Sequence, residues 1–272
     1  DWKIALTFNT RSLYETILSY VSRFVVHFSY SEMDEYRLDI LHGWGGSTEH
    51  GLYYKIAQAA GFSPNDVRDA QRKFGYGSPS ELLSASCEEL IESTNIQEEY
   101  DAILIDEAQD MEAPFFQMCY KALKEPKRLI WAYDEAQDLT SLEPPTPKQI
   151  FEEGDRIEDT IDMSGSYKGG IQKSQIMGRS YRAPREILMT AHILGMGLKS
   201  ADGAVRALTQ ARHWEDIGYE ILDGDFVKTG EPVTMKRPKE NSPHPLNDEE
   251  QAKPFVKFDR FDTKDDELEF IR

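Results

Sequence analysis

The stretch Tyr100 to Asp110, YDAILIDEAQD, constrains the fold more than any other in the chain. Its apolar run, Ala102 to Ile105, is short, dense and bounded by charge on both sides. That pattern marks a strand buried on both faces, as in a parallel α/β sheet. The run ends in Asp106 and Glu107, so both carboxylates are expected at the strand's carboxyl end. In open α/β sheets ligands bind outside that edge. An Asp there can hold Mg²⁺ through its water shell, and an adjacent Glu can orient and deprotonate a water. The same pair could instead cap a helix or face solvent, so the rest of the chain has to decide.

A chain of 272 residues is long enough for two domains with proper cores. Its 39% hydrophobic and 29% charged residues suit a soluble globular protein. No apolar run approaches the roughly 18 to 20 residues of a membrane span, so no membrane partner is expected. A net charge of −18 excludes a strongly basic, nucleic-acid-coating protein but leaves room for a local positive groove. Cys87 and Cys119 have neither metal-ligand spacing nor a disulfide framework, which predicts a reducing, cytoplasmic setting. The chain opens at Asp1 without a Met or signal peptide and stops at Arg272 inside a predicted helix, so both ends look cut from something longer.

Lys3 to Phe8 reads as a strand, Asn9 to Ser12 as a polar turn, and Leu13 to Phe28 as a helix with apolar residues at 13, 17, 18, 21, 24, 25 and 28. Leu38 to Ser47 holds a second apolar strand, which breaks into His42-Gly43-Trp44-Gly45-Gly46. Its glycines free the backbone for close approach to a ligand and leave an indole exposed between them. Residues 48 to 99 read as an all-helical insertion, with Ser63 or Asn65 and Ser78 or Ser80 as caps. After the central strand come a helix, Ala113 to Leu123, and a strand, Lys127 to Tyr133, which complete a β-α-β crossover with parallel strands. A second DEAQD follows at 134 to 138. Beyond a proline-rich connection, Gly178 to Arg182 opens a helix over 183 to 199, Tyr219 to Leu222 and Phe255 to Phe258 read as strands, and 236 to 254 as a loop.

The block at 106 to 110 resembles motif II of superfamily 1 helicases of the UvrD/Rep type. TFNTRSLYETI resembles their motif Ia, LDILHGWGGS motif Ib, the second DEAQD motif III, and GRSYR motif IV, so the resemblance spans most of residues 3 to 199. It implies an α/β fold of RecA-like P-loop NTPase motor domains with parallel sheets, the first at 1–145 with a helical insertion at about 48–99, and the crossing segment and second at 146–272. It implies ATP and Mg²⁺ as cofactors, and single-stranded DNA, including that of forked or duplex substrates, as partner. By the same resemblance Asp106 and Glu107 hold the metal and Glu107 activates water, while Gln137 couples phosphate to DNA. Tyr181 stacks on adenine, and Arg182 reaches the γ-phosphate as an arginine finger. Phe8, Asn9, Thr10, His42 and Trp44 would meet DNA. Thr140 and Leu142 stand where the family places stacking aromatics, a departure in motif III.

The chain has no GxxxxGK[ST] loop; Gly165 to Gly170 comes nearest, with Ile171 where the Lys belongs. The 272 residues alone are therefore expected to bind ATP weakly and hydrolyse none. A non-catalytic helicase-like module that binds DNA or protein is the alternative, and a metal-dependent nuclease lacks the further acid and lysine such sites assemble.

Overall fold

The computed structural model describes residues 2–29, 37–46, 51–134, 150–151, 163–197, 208, 210–228, 230–248 and 256–271. The chain divides into two compact units, Asp1–Met163 and Ser164–Arg272. Among the described residues no helix is long and apolar enough to cross a membrane.

The first unit is α/β, built on four parallel strands in the order β2-β1-β3-β4 and compatible with a Rossmann-like core. These are β1 (Ile4–Phe8), β2 (Leu38–His42), β3 (Tyr100–Ile105) and β4 (Leu123–Trp131). β1 lies between β2 and β3, with Thr7 opposite Leu41 on one side and Ile105 on the other. β4 starts at Leu123, ahead of the expected Lys127, because Leu123 already pairs with Tyr100 before a register shift.

One sheet face carries the core. Ala5, Ile103 and Ile105 pack there against α2 (Leu52–Ala59), α4 (Pro79–Ser93) and α5 (Ala113–Ala122), whose Tyr53, Leu90, Phe115 and Phe116 are fully buried. α2 and α4, with α3 (Val67–Phe74) between them, fill most of the predicted insertion. Ser78 caps α4 in a reciprocal box with Glu81, with Pro79 in the first turn. α3 is capped by Asp66, not by Ser63 or Asn65. Asn65 is drawn inward, its N–H donating to Tyr53 Oη and its side chain to Glu89.

The other face is thinly covered. α1 (Tyr14–Ser29) half-buries Leu18, Val21 and Val25, but Phe24 and Phe28, assigned above to the same apolar face, are 61% and 75% exposed. Ile130 on β4 is also exposed.

The second unit shows no parallel sheet among its described residues. Its helices are α6 (Arg185–Gly195), α7 (Ala211–Asp216) and α8 (Lys264–Ile271), the last begun by Thr263, whose Oγ1 accepts from Asp266 N–H. β5 (Glu220–Asp223) pairs antiparallel with β6 (Thr234–Lys236). β6 falls at the edge of the stretch expected to be loop, whereas residues 256–258, expected as strand, are not in one. Ile221 and Met235 pair across the ribbon beside the Glu220–Lys236 ion pair.

Burial raises the phenol pKa values of Tyr53 and Tyr100 above the ordinary 10.0, and the Asp39 carboxylate that accepts the Tyr100 hydroxyl adds to the rise. A raised folded-state pKa means that the stabilisation is complete below pH 10 and is lost as pH climbs beyond it. The melting temperature of the first unit is expected to fall steeply above that pH. Tyr100→Phe, which cannot ionise, should start lower at pH 8 but show a shallower alkaline fall; an unchanged slope would remove Tyr100 as the cause.

Candidate functional site

Strand order places a topological switch point at the carboxyl ends of β1 and β3, since the chain leaves β1 toward β2 on one side and returns to β3 on the other. Ligand crevices of open parallel sheets form at such points. Asp106 follows β3 directly and its N–H donates to Thr7 O at 2.8 Å, so the β1–β3 ladder runs one residue past the strand and fixes where the carboxylate begins. Asp106 and Glu107 are both half-buried.

Glu107 adopts a left-handed conformation, φ 51° and ψ 48°. For a residue other than Gly this costs on the order of 1 to 3 kcal/mol and recurs where function over-determines the backbone. Several bonds hold it there. Glu107 N–H donates to Asp106 Oδ1 at 3.1 Å, and Ala108 N–H to Ala132 O at 2.9 Å. Gln109 Nε2 donates to Glu107 Oε2 at 2.6 Å, while Gln109 Oε1 accepts from Asp134 N–H at 3.2 Å. Gln109 thus joins the first acidic block to the start of the second. Sequence reasoning passed over it, although a Gln two residues beyond a turn-forming acid has the reach to bridge neighbouring strand ends. Gln137 lies outside the described residues. Beneath the same edge, Thr7 Oγ1 is the buried side-chain polar atom left without a hydrogen-bond partner among the described residues.

Asn9 is half-buried and Thr10 and Arg11 are exposed, so the polar turn after β1 offers donors at this edge. The aromatics expected beside it do not. Phe8 is fully buried against Tyr14, with ring centroids 6.1 Å apart. Trp44, expected to be exposed between glycines, is 4% exposed and donates its indole N–H to Asn65 O at 2.9 Å. Neither ring can stack on a base in this conformation. His42 is committed as well. Its Nδ1 accepts from Trp44 N–H and Gly45 N–H, so the ring proton sits on Nε2 and donates to Asn9 O at 2.6 Å.

The glycine-rich loop makes its close approaches to the protein itself. A Cβ on Gly43 would meet Met111 Cε at 2.8 Å, and one on Gly51 would meet the Trp44 carbonyl carbon and Gly45 N at 2.3 Å. Gly43 and Trp44 carbonyls accept from Tyr53 and Tyr54 N–H, satisfying first-turn amides of α2 that carry no side-chain cap. The loop is therefore the N-terminal cap of α2 and the lid of the core.

In the second unit, Tyr181 is 63% exposed and Arg182 is exposed, both just ahead of α6. The loop carrying them is held by Arg237, whose buried guanidinium donates to Ser242 Oγ, Ile217 O, Gly178 O and Asn241 O at 2.6 to 2.9 Å. It also lies over the Tyr219 ring, 5.3 Å from the centroid. Burial lowers the Arg237 pKa. Ser180 N–H donates to Asn241 O at 3.0 Å, completing the attachment. The backbones pass so closely that a Cβ on Gly218, at φ +94°, would lie 2.1 Å from Gly178 O.

Trp44→Ala is expected to destabilise the first unit by about 3 to 5 kcal/mol, as loss of a large buried aromatic does, and to leave nucleic-acid affinity per folded molecule unchanged. Denaturant unfolding and binding titration together check this; weakened binding at full stability would return the indole to the surface.

Arg237→Met strands four acceptors and should cost at least about 3 kcal/mol. Hydrogen exchange is expected to quicken across residues 178–242 and to stay unchanged across 4–131. Lys at 237 should recover little, because one ammonium cannot reach the same acceptors.

No protein-family model, no curated protein and no solved structure matches this chain.

Proposed function

We propose that the chain contributes the central motifs of an ATP-dependent superfamily 1 DNA helicase of the UvrD/Rep type, whose RecA-like P-loop NTPase domains couple ATP hydrolysis to translocation on single-stranded DNA. The observation that supports this best is the Asp106-Glu107 pair. It sits at the switch point of a parallel sheet, with Glu107 held in a costly backbone conformation and half of its carboxylate engaged by Gln109.

The donor set fits Mg²⁺ carried with a nucleotide. Among the described residues no three metal-ligating side chains gather. Mg²⁺ commonly takes one or two carboxylates and completes its shell with waters and phosphate oxygens. Bound there with ATP, it would neutralise charge on the phosphates. Asp106 would hold it. Glu107, with Oε2 occupied by Gln109, has Oε1 left to accept a proton from the attacking water. Arg182 would meet the charge that develops on the transferred phosphoryl group, and Tyr181 the adenine. Gln109 transmits the state of the Glu107 carboxylate to the strand end that leads toward Gln137. Asn9, Thr10 and Arg11 would contact DNA phosphates as hydrogen-bond donors.

In a protein carrying this chain together with a GxxxxGK[ST] loop, Glu107→Gln is expected to lower DNA-stimulated ATP hydrolysis by about 10² to 10⁴-fold with ATP binding retained. Arg182→Ala should lower it by about 10³ to 10⁵-fold, with folding and single-strand binding near normal. Wild-type turnover in the Glu107 variant would exclude hydrolysis at this edge, and wild-type turnover in the Arg182 variant would exclude the arginine finger.

A further inference from the structure

The second unit holds an open cleft of about 530 Å³ that none of the helicase-like motifs accounts for. Arg185 and Met189, one turn apart on α6, form one wall; Met235 and Lys236 of β6, with Pro238 and Lys239, form the other. The volume falls within the roughly 300 to 1,000 Å³ usual for small-molecule sites.

The lining joins two chemistries. Met189, Met235 and Pro238 are each half-buried, so they present an apolar, polarisable floor that is still accessible. Thioethers make favourable contacts with aromatic rings and adapt to their outline. The rim is cationic. Arg185, Lys236, Arg237 and Lys239 face two acids, Glu220 and Glu240. Lys236 is engaged by Glu220 at 3.0 Å, and Arg237 is spent on its four acceptors. Arg185 is different. Among the described residues no carboxylate lies within ion-pair distance of it, nor of Arg179 or Arg182 earlier in the same stretch. In a chain of net charge −18, an arginine that lines a cleft without an acidic partner among the described residues is placed to receive an anion. The Arg185 backbone is fixed by its N–H bond to Asn247 Oδ1 at 2.9 Å, so the guanidinium starts from a set position. A guanidinium fork matches two phosphate oxygens at once.

We propose that this cleft binds a nucleoside phosphate, with the base on Met189, Met235 and Pro238 and the phosphate on Arg185, the charge of Lys239 adding to the positive field at the rim. A free nucleotide and one unit of a strand present the same chemistry. The inference stands on second-unit residues alone and does not rest on hydrolysis at Asp106-Glu107.

Calorimetric titration of the chain with thymidine monophosphate, a short oligothymidylate, thymidine and inorganic phosphate tests it. The monophosphate or the oligomer is expected to bind at least about tenfold more tightly than phosphate or thymidine alone, since only they use floor and rim together. Arg185→Glu with Lys239→Glu should weaken that binding by about tenfold or more, and Arg185→Gln with Lys239→Gln should do so in part, with circular dichroism unchanged in both. Titration without Mg²⁺ should give the same affinity, which separates this site from the metal-dependent hydrolytic edge. Binding of the monophosphate alone assigns the site to free nucleotide, and binding of the oligomer alone to a strand. Wild-type affinity in both paired variants, phosphate binding as tightly as the monophosphate, or no binding by either nucleotide ligand overturns the proposal.

Discussion

The parallel pairing of β1 with β3 is the constraint on which the first unit depends. Neighbouring strands lie about 4.8 Å apart, and here the ladder does not stop with the strands. Asp106 N–H reaches Thr7 O on one side of β1, and Gly43 N–H reaches Phe8 O on the other. Three strand ends are therefore tied at one level by backbone bonds, before any side chain acts. The turn at Asn9-Thr10 and the acids at Asp106-Glu107 come out on adjacent strands as a consequence of register. Ile103 and Ile105, alternating with Leu104, anchor that register from the core side. A slip of one residue would turn both into the thinly covered face.

What could be read from the sequence was what depends on short-range pattern. The dense run at 102–105 gave a buried parallel strand and placed its carboxylates, and Ser78, one of the two caps read for this helix, does begin α4. What could not be read was settled by long-range contact. Trp44 between glycines has the local signature of an exposed loop, yet Asn65, far along the chain, supplies the carbonyl that takes its N–H into the core. Asn65, once drawn inward, gives up the cap of α3 to Asp66. Phe8 is buried by a helix that its own turn begins. The misplaced strand at 255–258 failed for a related reason: β5 takes as its partner a ribbon strand of three residues, too short to stand out in composition.

The two units solve the problem of buried polarity differently. In the first, Asp39 accepts from both Lys55 and Tyr100, a charge matched by charge. In the second, no carboxylate among the described residues pairs with the Arg237 guanidinium; it donates to backbone carbonyls and one hydroxyl. Carbonyls belong to particular chain segments, so saturating the cation with them joins Gly178, Ile217 and Asn241 into one piece. Packing alone would hold such a small two-stranded ribbon poorly. The exposed Tyr181 and Arg182 lie three and four residues past one of those carbonyls, so the loop that presents them is anchored at its base and open at its tip.

Charge then decides what each surface can receive. The described side chains around the β3 edge include Asp106, Glu107, Asp110 and Asp134, and the turn after the neighbouring β1 carries one cation, Arg11. A polyanionic ligand approaching four carboxylates meets repulsion, which the half-buried setting of Asp106 and Glu107 strengthens because the effective dielectric constant there is below that of water. On the proposed reading, phosphate reaches that edge only together with a divalent cation, which converts the same carboxylates from a barrier into a holding site. The lining of the second unit's cleft has the opposite sign, and on the second proposal it would take a phosphate ester directly. On the two proposed readings, a chain of strongly negative net charge would hold nucleotides at two places: one by sharing a metal, the other through Arg185, which no described carboxylate pairs.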